Sequence, residues 1–266
     1  MSVHSLERAP APPGPLAGVG VIVTRPARQA AGLAQQLAAL SATPIVFPAI
    51  VILPPSNRGA LDAAHAALAD FDIAIFVSAN AVEYGVPPPQ VWPATLELFA
   101  PGPGTAAALA ATGIANARFP TSTFDSEGLL ELPSLRTVKG KRVMVFRGEG
   151  GRDLLGEALR QRGAAVTYVD CYRRARPATG AAGLSEALRD ARAHALTLTS
   201  SEGLDNLCAL LDAADLARLR RLPAFVPHPR IAAHARKLDF TAIETGGSDA
   251  GLIKGLLEWF AAHPIA

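Results

Sequence analysis

The stretch Arg147-Gly148-Glu149-Gly150-Gly151-Arg152 has residue types suited to an anion. Glycine leaves backbone N–H groups unshielded, and where such a turn opens a helix the dipole favours negative charge. Arginine's planar fork can hold a carboxylate through two parallel bonds. The elements on either side must hold this turn in place. Before it, Lys141 to Phe146 is an apolar run that reads as a buried strand. After it, Asp153 to Arg162 carries leucines at helical spacing and is closed by Gly163 as a C-cap. Ala165 to Val169 is a second strand, running into Asp170-Cys171-Tyr172-Arg173-Arg174. Strand, Gly-rich turn, helix and strand make half of a doubly wound α/β unit.

Similar turns recur along the chain. In open parallel sheets ligands sit beyond the carboxyl ends of the strands. That rule selects five more turns: Thr24-Arg25-Pro26, Ser78-Ala79-Asn80, Gly102-Pro103-Gly104-Thr105, Ser200-Ser201-Glu202-Gly203 and His228-Pro229-Arg230. Each follows an apolar run and opens a helical pattern. Taken singly, Ser, Thr and Asn at such places cap helices. Six turns from two domains facing one cleft point instead to a ligand.

The apolar runs predict strands at 19–24, 45–53 (broken at Pro48), 73–77, 95–100, 115–119, 195–199, 224–226 and 241–244. Helices are expected at 28–40, 61–69, 183–191, 204–211 and 250–260, with shorter ones after Ala81 and at 126–131. Shifted by about 122 residues, the chain overlays itself. Val23-Thr24-Arg25 meets Val145-Phe146-Arg147, Leu33 and Leu37 meet Leu155 and Leu159, and Val77-Ser78 meets Thr199-Ser200. With a small drift, Phe99 to Pro103 meets Phe225 to Pro229. Two copies of one α/β domain, each with a doubly wound parallel sheet, account for this pattern.

Composition narrows the function classes. The chain has 266 residues, half of them hydrophobic, and a net charge of only +2. Arginine far outnumbers lysine, yet no broad basic face for nucleic acid follows from that charge. Cys171 and Cys208 have no metal-ligand or redox spacing, and no apolar run reaches membrane length. The proline-rich start, up to Pro15, reads as a loose tail without a signal-peptide core. His65, His194 and His234 fall on ordinary surfaces, and Ser200-Ser201 lies outside any Gly-x-Ser-x-Gly elbow. The expectation is a soluble cytoplasmic monomer without cofactor or metal, acting on a small molecule.

In its Phe-Arg-Gly turn at 146–148, its helix ending Arg162-Gly163 and its Tyr172-Arg173-Arg174 after the second strand, the chain resembles the uroporphyrinogen-III synthase family from about Val19 to Leu257. The resemblance implies a lyase that closes a linear tetrapyrrole, hydroxymethylbilane, into a macrocycle with its last ring inverted. It implies a substrate with an acetate and a propionate on each of four rings, held by the turns above. It also implies a chain that leaves the first domain along one strand, completes the second and returns along another. The first domain is then 1–47 with 178–266, the second 55–168, and the linker strands 48–54 and 169–177. Tyr172 takes the place of a tyrosine on the return linker and becomes the candidate catalytic residue. Where the family has Gly-Pro-Thr, this chain has His228-Pro229-Arg230, a departure that weakens the case for hydroxyl contacts there and leaves open whether His228 and Arg230 replace them. Two other readings stay open. Gly102-x-Gly104-x-x-Ala107 after a strand has the form of a dinucleotide fingerprint, and doubly wound domains also serve as binding modules without catalysis.

Overall fold

A computed structural model describes residues 14–86, 92–151 and 153–265. In chain order the elements are β1 (Gly20–Val23), α1 (Ala27–Ala39), β2 (Thr43–Val46), β3 (Val51–Leu53), α2 (Arg58–Ala66), β4 (Ile73–Phe76), α3 (Ala79–Gly85), β5 (Glu97–Phe99), α4 (Pro103–Ala111), α5 (Ser126–Leu130) and α6 (Pro133–Arg136). They continue as β6 (Arg142–Gly148), α7 (Leu154–Gln161), β7 (Ala165–Ala175), α8 (Ala182–Arg189), β8 (Ala195–Thr197), α9 (Ser201–Leu210), α10 (Ala213–Arg220), β9 (Ala224–Val226), α11 (Pro229–Lys237), β10 (Ala242–Glu244) and α12 (Asp249–Ala262).

The chain divides into two compact units, one running to Val51 and resuming at Arg176, the other Ile52–Ala175. Among the described residues each unit holds one five-stranded sheet. The first has the order β10-β9-β8-β1-β2 and the second β3-β7-β6-β4-β5. The neighbouring pairs β1·β2, β1·β8, β8·β9, β9·β10, β4·β5, β4·β6 and β6·β7 are all parallel. A parallel sheet is covered on both faces, which is why its central strands are apolar throughout. Val21, Val23 and Phe225 enter one core of the first unit, and Ile22, Leu196 and Val226 the other. In the second unit Ala74, Phe76 and Phe146 take one face, and Ile75, Val143 and Val145 the opposite one.

The internal repeat has a structural counterpart. A shift of 122 residues carries β1-α1-β2 onto β6-α7-β7, and β8 onto β4. Under that mapping the order β9-β8-β1-β2 becomes β5-β4-β6-β7, the order observed in the second sheet. The two units are therefore circular permutations of one another. The detail extends to helix ends. Buried Leu33 and Leu37 on α1 correspond to buried Leu155 and Leu159 on α7, and truncating any of them to alanine should cost about 2–5 kcal/mol. Both helices close with the same bond, Ala42 N–H to Leu37 O and Ala164 N–H to Leu159 O. The residue in between has left-handed φ, Gly163 at 87° and Ser41 at 66°.

Several expectations are corrected. The span 45–53 is two strands, β2 in the first sheet and β3 in the second. The expected linker strand at 169–177 is continuous with a strand of the second sheet: β7 runs from Ala165 to Ala175 and pairs with β6 as far as Gly148 opposite Tyr172. The strand expected at 115–119 is reduced to one bridge, Phe99 to Arg118. Helices α6 and α10 were not expected. α10 is held by a buried carboxylate. Asp215 has no exposed side-chain surface and accepts from Arg189 Nη2 at 2.6 Å and Arg218 Nη1 at 3.1 Å. None of the helices among the described residues is long and apolar enough to cross a membrane.

The bonds from Arg189 hold the Asp215 carboxyl below the usual carboxylate range, against the opposing effect of burial. A depressed pKa gives stability that is present above the unfolded-state pKa and lost as pH falls through the folded one. Asp215→Asn should therefore lower the melting temperature at neutral pH by a few degrees. It should also flatten the loss of stability that the parent protein shows below about pH 4. Thermal melts from neutral to acid pH check both effects.

Candidate functional site

In each sheet the strand order reverses at one central pair, β1 with β8 and β4 with β6. Beyond such a switch point the connections diverge and leave a crevice at the carboxyl ends.

In the second unit, β4 and β6 are locked by the pair Phe76 and Phe146, whose rings stack at 4.5 Å. Two residues past β4, Ser78 caps α3, its Oγ accepting from Ala81 N–H at 3.1 Å. Past Arg147 the β6–β7 register shifts. Arg147 lies opposite Asp170 and Gly148 opposite Tyr172, so Cys171 is an inserted residue. A bulge of this kind breaks the alternation of faces. Cys171 and Tyr172 accordingly both enter the same core, 0% and 4% exposed. The Cys171 thiol lies 3.2 Å from Arg147 O, and burial raises its pKa to about 12, which makes it a packing group and not a nucleophile.

Tyr172 takes its place because Gly148 has no side chain. A Cβ at Gly148 would stand 2.7 Å from two atoms of the phenol ring. The Tyr172 carbonyl accepts from Glu149 N–H at 2.8 Å, and its hydroxyl lies 3.3 Å from Ser78 Oγ. The ring is buried, and its hydroxyl lies beside half-buried Ser78.

The Gly-rich turn also differs from the expected anion cradle. Gly151 N–H bonds Gly148 O, and the Glu149 amide is taken by Tyr172. The Glu149 carboxylate accepts from Ser56 N–H at 2.5 Å and Ser56 Oγ at 3.1 Å. Arg147 is committed too. Its Nε bonds Asp170 at 3.0 Å, its Nη1 bonds Asp153 at 2.6 Å and Gly151 O at 3.1 Å, and the guanidinium lies 3.7 Å from the centre of the Tyr168 ring. Burial disfavours its charge, but Asp153 and Asp170 outweigh burial and raise its pKa. Arg147 therefore shapes the turn, with its Nε and Nη1 donors already committed. Gly150 keeps a left-handed φ of 68° in open space. Arg152 lies outside the described residues.

The turn at Gly102 keeps its donors. α4 begins at Pro103 without a side-chain cap, so the amides of Gly104 and Thr105 meet no capping group. Thr105 is buried and Gly104 faces open space. Gly102 itself is extended. A Cβ there would come within 2.9 Å of Phe124 Cβ, which explains the glycine without a dinucleotide. β5 is moreover the edge strand and does not flank the switch point. Asn80 sits in the first turn of α3.

In the first unit two buried threonines stitch β1 to β8. Thr24 Oγ1 donates to Thr197 O at 2.8 Å and Thr197 Oγ1 to Ile22 O at 3.0 Å. Arg25 pairs with Asp249 at 2.5 Å. Ser200 caps α9 through Gly203 N–H at 3.1 Å, and Ser201 is the first residue of that helix. His228 caps α11, its Nδ1 accepting from Arg230 N–H at 3.1 Å. The ring thus fills the capping role at this turn. The Arg230 side chain is exposed.

Comparison with known proteins bears on what these edges serve. The family model described as uroporphyrinogen-III synthase HemD matches residues 31–248. The chain belongs to the uroporphyrinogen-III synthase family. The uroporphyrinogen-III synthase of Salmonella typhimurium is 34% identical over 198 residues, covering 72% of this chain and 80% of that protein. Its Escherichia coli counterpart is 34% identical over 199 residues, 73% and 80% of the two chains. The crystal structure of uroporphyrinogen-III synthetase from Helicobacter pylori is 12% identical with a TM-score of 0.58, covering 91% of this chain and 99% of that one, and shows the shared fold. A uroporphyrinogen-III synthase family member with Ser78, Gly148 and Tyr172 at one switch point is read from that point outward. Sequence reasoning missed Glu149 as the holder of Ser56, and Asp153 and Asp170 as the partners of Arg147. The only signal for the latter was an acidic residue just before α7 and another within β7.

The steric account gives a direct test. Gly148→Ala should destabilise by about 1–3 kcal/mol, the usual cost of overpacking. The same change made in a Tyr172→Ala background should be nearly neutral, because the clashing ring is gone. Denaturant melts of the single and double variants measure the difference.

Proposed function

We propose that the chain dehydrates and cyclises hydroxymethylbilane to uroporphyrinogen III, inverting ring D. The family match across 31–248 carries this reading. Loss of the terminal hydroxyl as water leaves an electrophilic methylene on the terminal pyrrole. Attack at the substituted carbon of ring D gives a spiro intermediate, and fragmentation and reclosure invert that ring. The protein's work is to present the disfavoured carbon to the electrophile, which is a matter of orientation.

The carboxyl edges suit a substrate with many carboxylates. The first turns of α4 and α1 lack side-chain caps, and helix starts bind anions through backbone donors. Exposed Arg230 adds a cation near α11. Arg25 and Arg147, already paired, contribute by fixing the turns. The reading carries with it a soluble, cytoplasmic monomer that needs no cofactor or metal, since the chemistry is an elimination and a substitution without net redox change.

Purified protein given hydroxymethylbilane should yield the type III isomer, whereas spontaneous closure yields the symmetrical type I. Chromatography of the oxidised products decides the matter, and type I alone would sink the reading.

A further inference from the structure

Tyr172 is only 4% exposed, while Ser78, at the open end of β4, is half-buried. The inventory of bonds at the serine oxygen fixes what each hydroxyl can do. A serine hydroxyl has two lone pairs and one proton. One lone pair accepts from Ala81 N–H at 3.1 Å. The second faces the Tyr172 hydroxyl at 3.3 Å. A buried phenol whose proton found no acceptor would cost about 1–3 kcal/mol. Tyr172 therefore donates to Ser78, filling the second lone pair. The Ser78 proton is then the one left to point outward, on an oxygen whose acceptor capacity is spent.

Resting on the function proposed above, we infer that Ser78 is the group that meets the departing oxygen, with Tyr172 behind it as a positioning residue. The placement suits the task. Ser78 lies past the carboxyl end of β4, beside the end of β6, at the second sheet's switch point. Its oxygen is fixed on one side by the α3 amide and on the other by a ring that Gly148 and the Cys171 bulge hold in place. The step balances as follows. The terminal C–O bond breaks with its electron pair going to oxygen. That oxygen takes the Ser78 hydroxyl proton and leaves as water. In concert, Ser78 Oγ takes the Tyr172 proton. The phenolate recovers a proton from the one released by ring D when the macrocycle closes. The bond of 3.3 Å is long for two hydroxyls, and polarisation along a chain of hydrogen bonds shortens it once the serine proton is engaged.

A kinetic double-mutant cycle tests the relay on the full chain with hydroxymethylbilane as substrate. Ser78→Ala should lower kcat at least about tenfold, toward the lower range for a general acid, with KM unchanged. Ser78→Thr, which keeps both the hydroxyl and the helix cap, should restore turnover. Tyr172→Phe should lower kcat about tenfold in the parent, yet by less than about twofold in the Ser78→Ala background, because groups that act in series are not additive. Thermal melts of each variant confirm that α3 is still capped or report its loss. Equal losses from Tyr172→Phe in both backgrounds, or a fully active Ser78→Ala, would overturn the relay while leaving the function intact. A parent protein that made only the type I isomer would bring down the function reading, and the relay with it.

Discussion

The contact on which the second unit's carboxyl edge depends is the seating of the Tyr172 ring over Gly148. It needs a residue without a side chain on β6 and an inserted residue on β7. Cys171 supplies the insertion, turning Tyr172 into the core that already holds Val169. The seated ring brings its hydroxyl to Ser78 and its carbonyl to Glu149 N–H, and Glu149 in turn holds Ser56 just beyond β3. One steric accommodation thus fixes the ends of β4, β6 and β7 and the start of the segment that follows β3. Arg147, stacked on Tyr168 and paired with Asp153 and Asp170, keeps the same turn from the other side.

The permuted repeat explains how two similar units arise from a chain that visits one of them twice. The first unit is opened after β2, the second is completed, and the first resumes at α8. In the second unit the counterparts of β8 and β9 come first and those of β1 and β2 last. Parallel sheets tolerate this because each strand–helix–strand piece packs locally, with its leucines against its own strand pair. The equivalence of Ser41 with Gly163 shows the local rule at work. Both helices need a left-handed residue to turn out, and the serine accepts strain of about 1–2 kcal/mol for a non-glycine while its Oγ bonds Gly14 N–H at 3.1 Å.

Much of this was legible in the sequence. Continuous apolar runs such as Ile73 to Val77 read as strands buried on both faces, and Gly163 announced a helix end. The register between the halves followed from Leu33 and Leu37 against Leu155 and Leu159. What could not be read were features set by tertiary contacts. Nothing local distinguishes Cys171 as a bulge, since no glycine or proline marks it. The burial of Tyr172 follows from that bulge and so was hidden with it. Arg147 looked open to a ligand because its partners, Asp153 and Asp170, converge on it only when β6, α7 and β7 pack. α10 was missed because its helix rests on Asp215, whose partner Arg189 comes from a different helix.

The central claim is that ligand contacts lie at the carboxyl ends of the parallel strands, with Ser78 among them. Hydrogen–deuterium exchange of the full chain, with and without uroporphyrinogen III under anaerobic conditions, tests it most directly. The account predicts ligand-dependent protection in peptides covering 78–82 and 102–106 of the second unit and 200–204 of the first. Protection confined to the amino ends of the same strands, around 72–73 and 141–143, would contradict it.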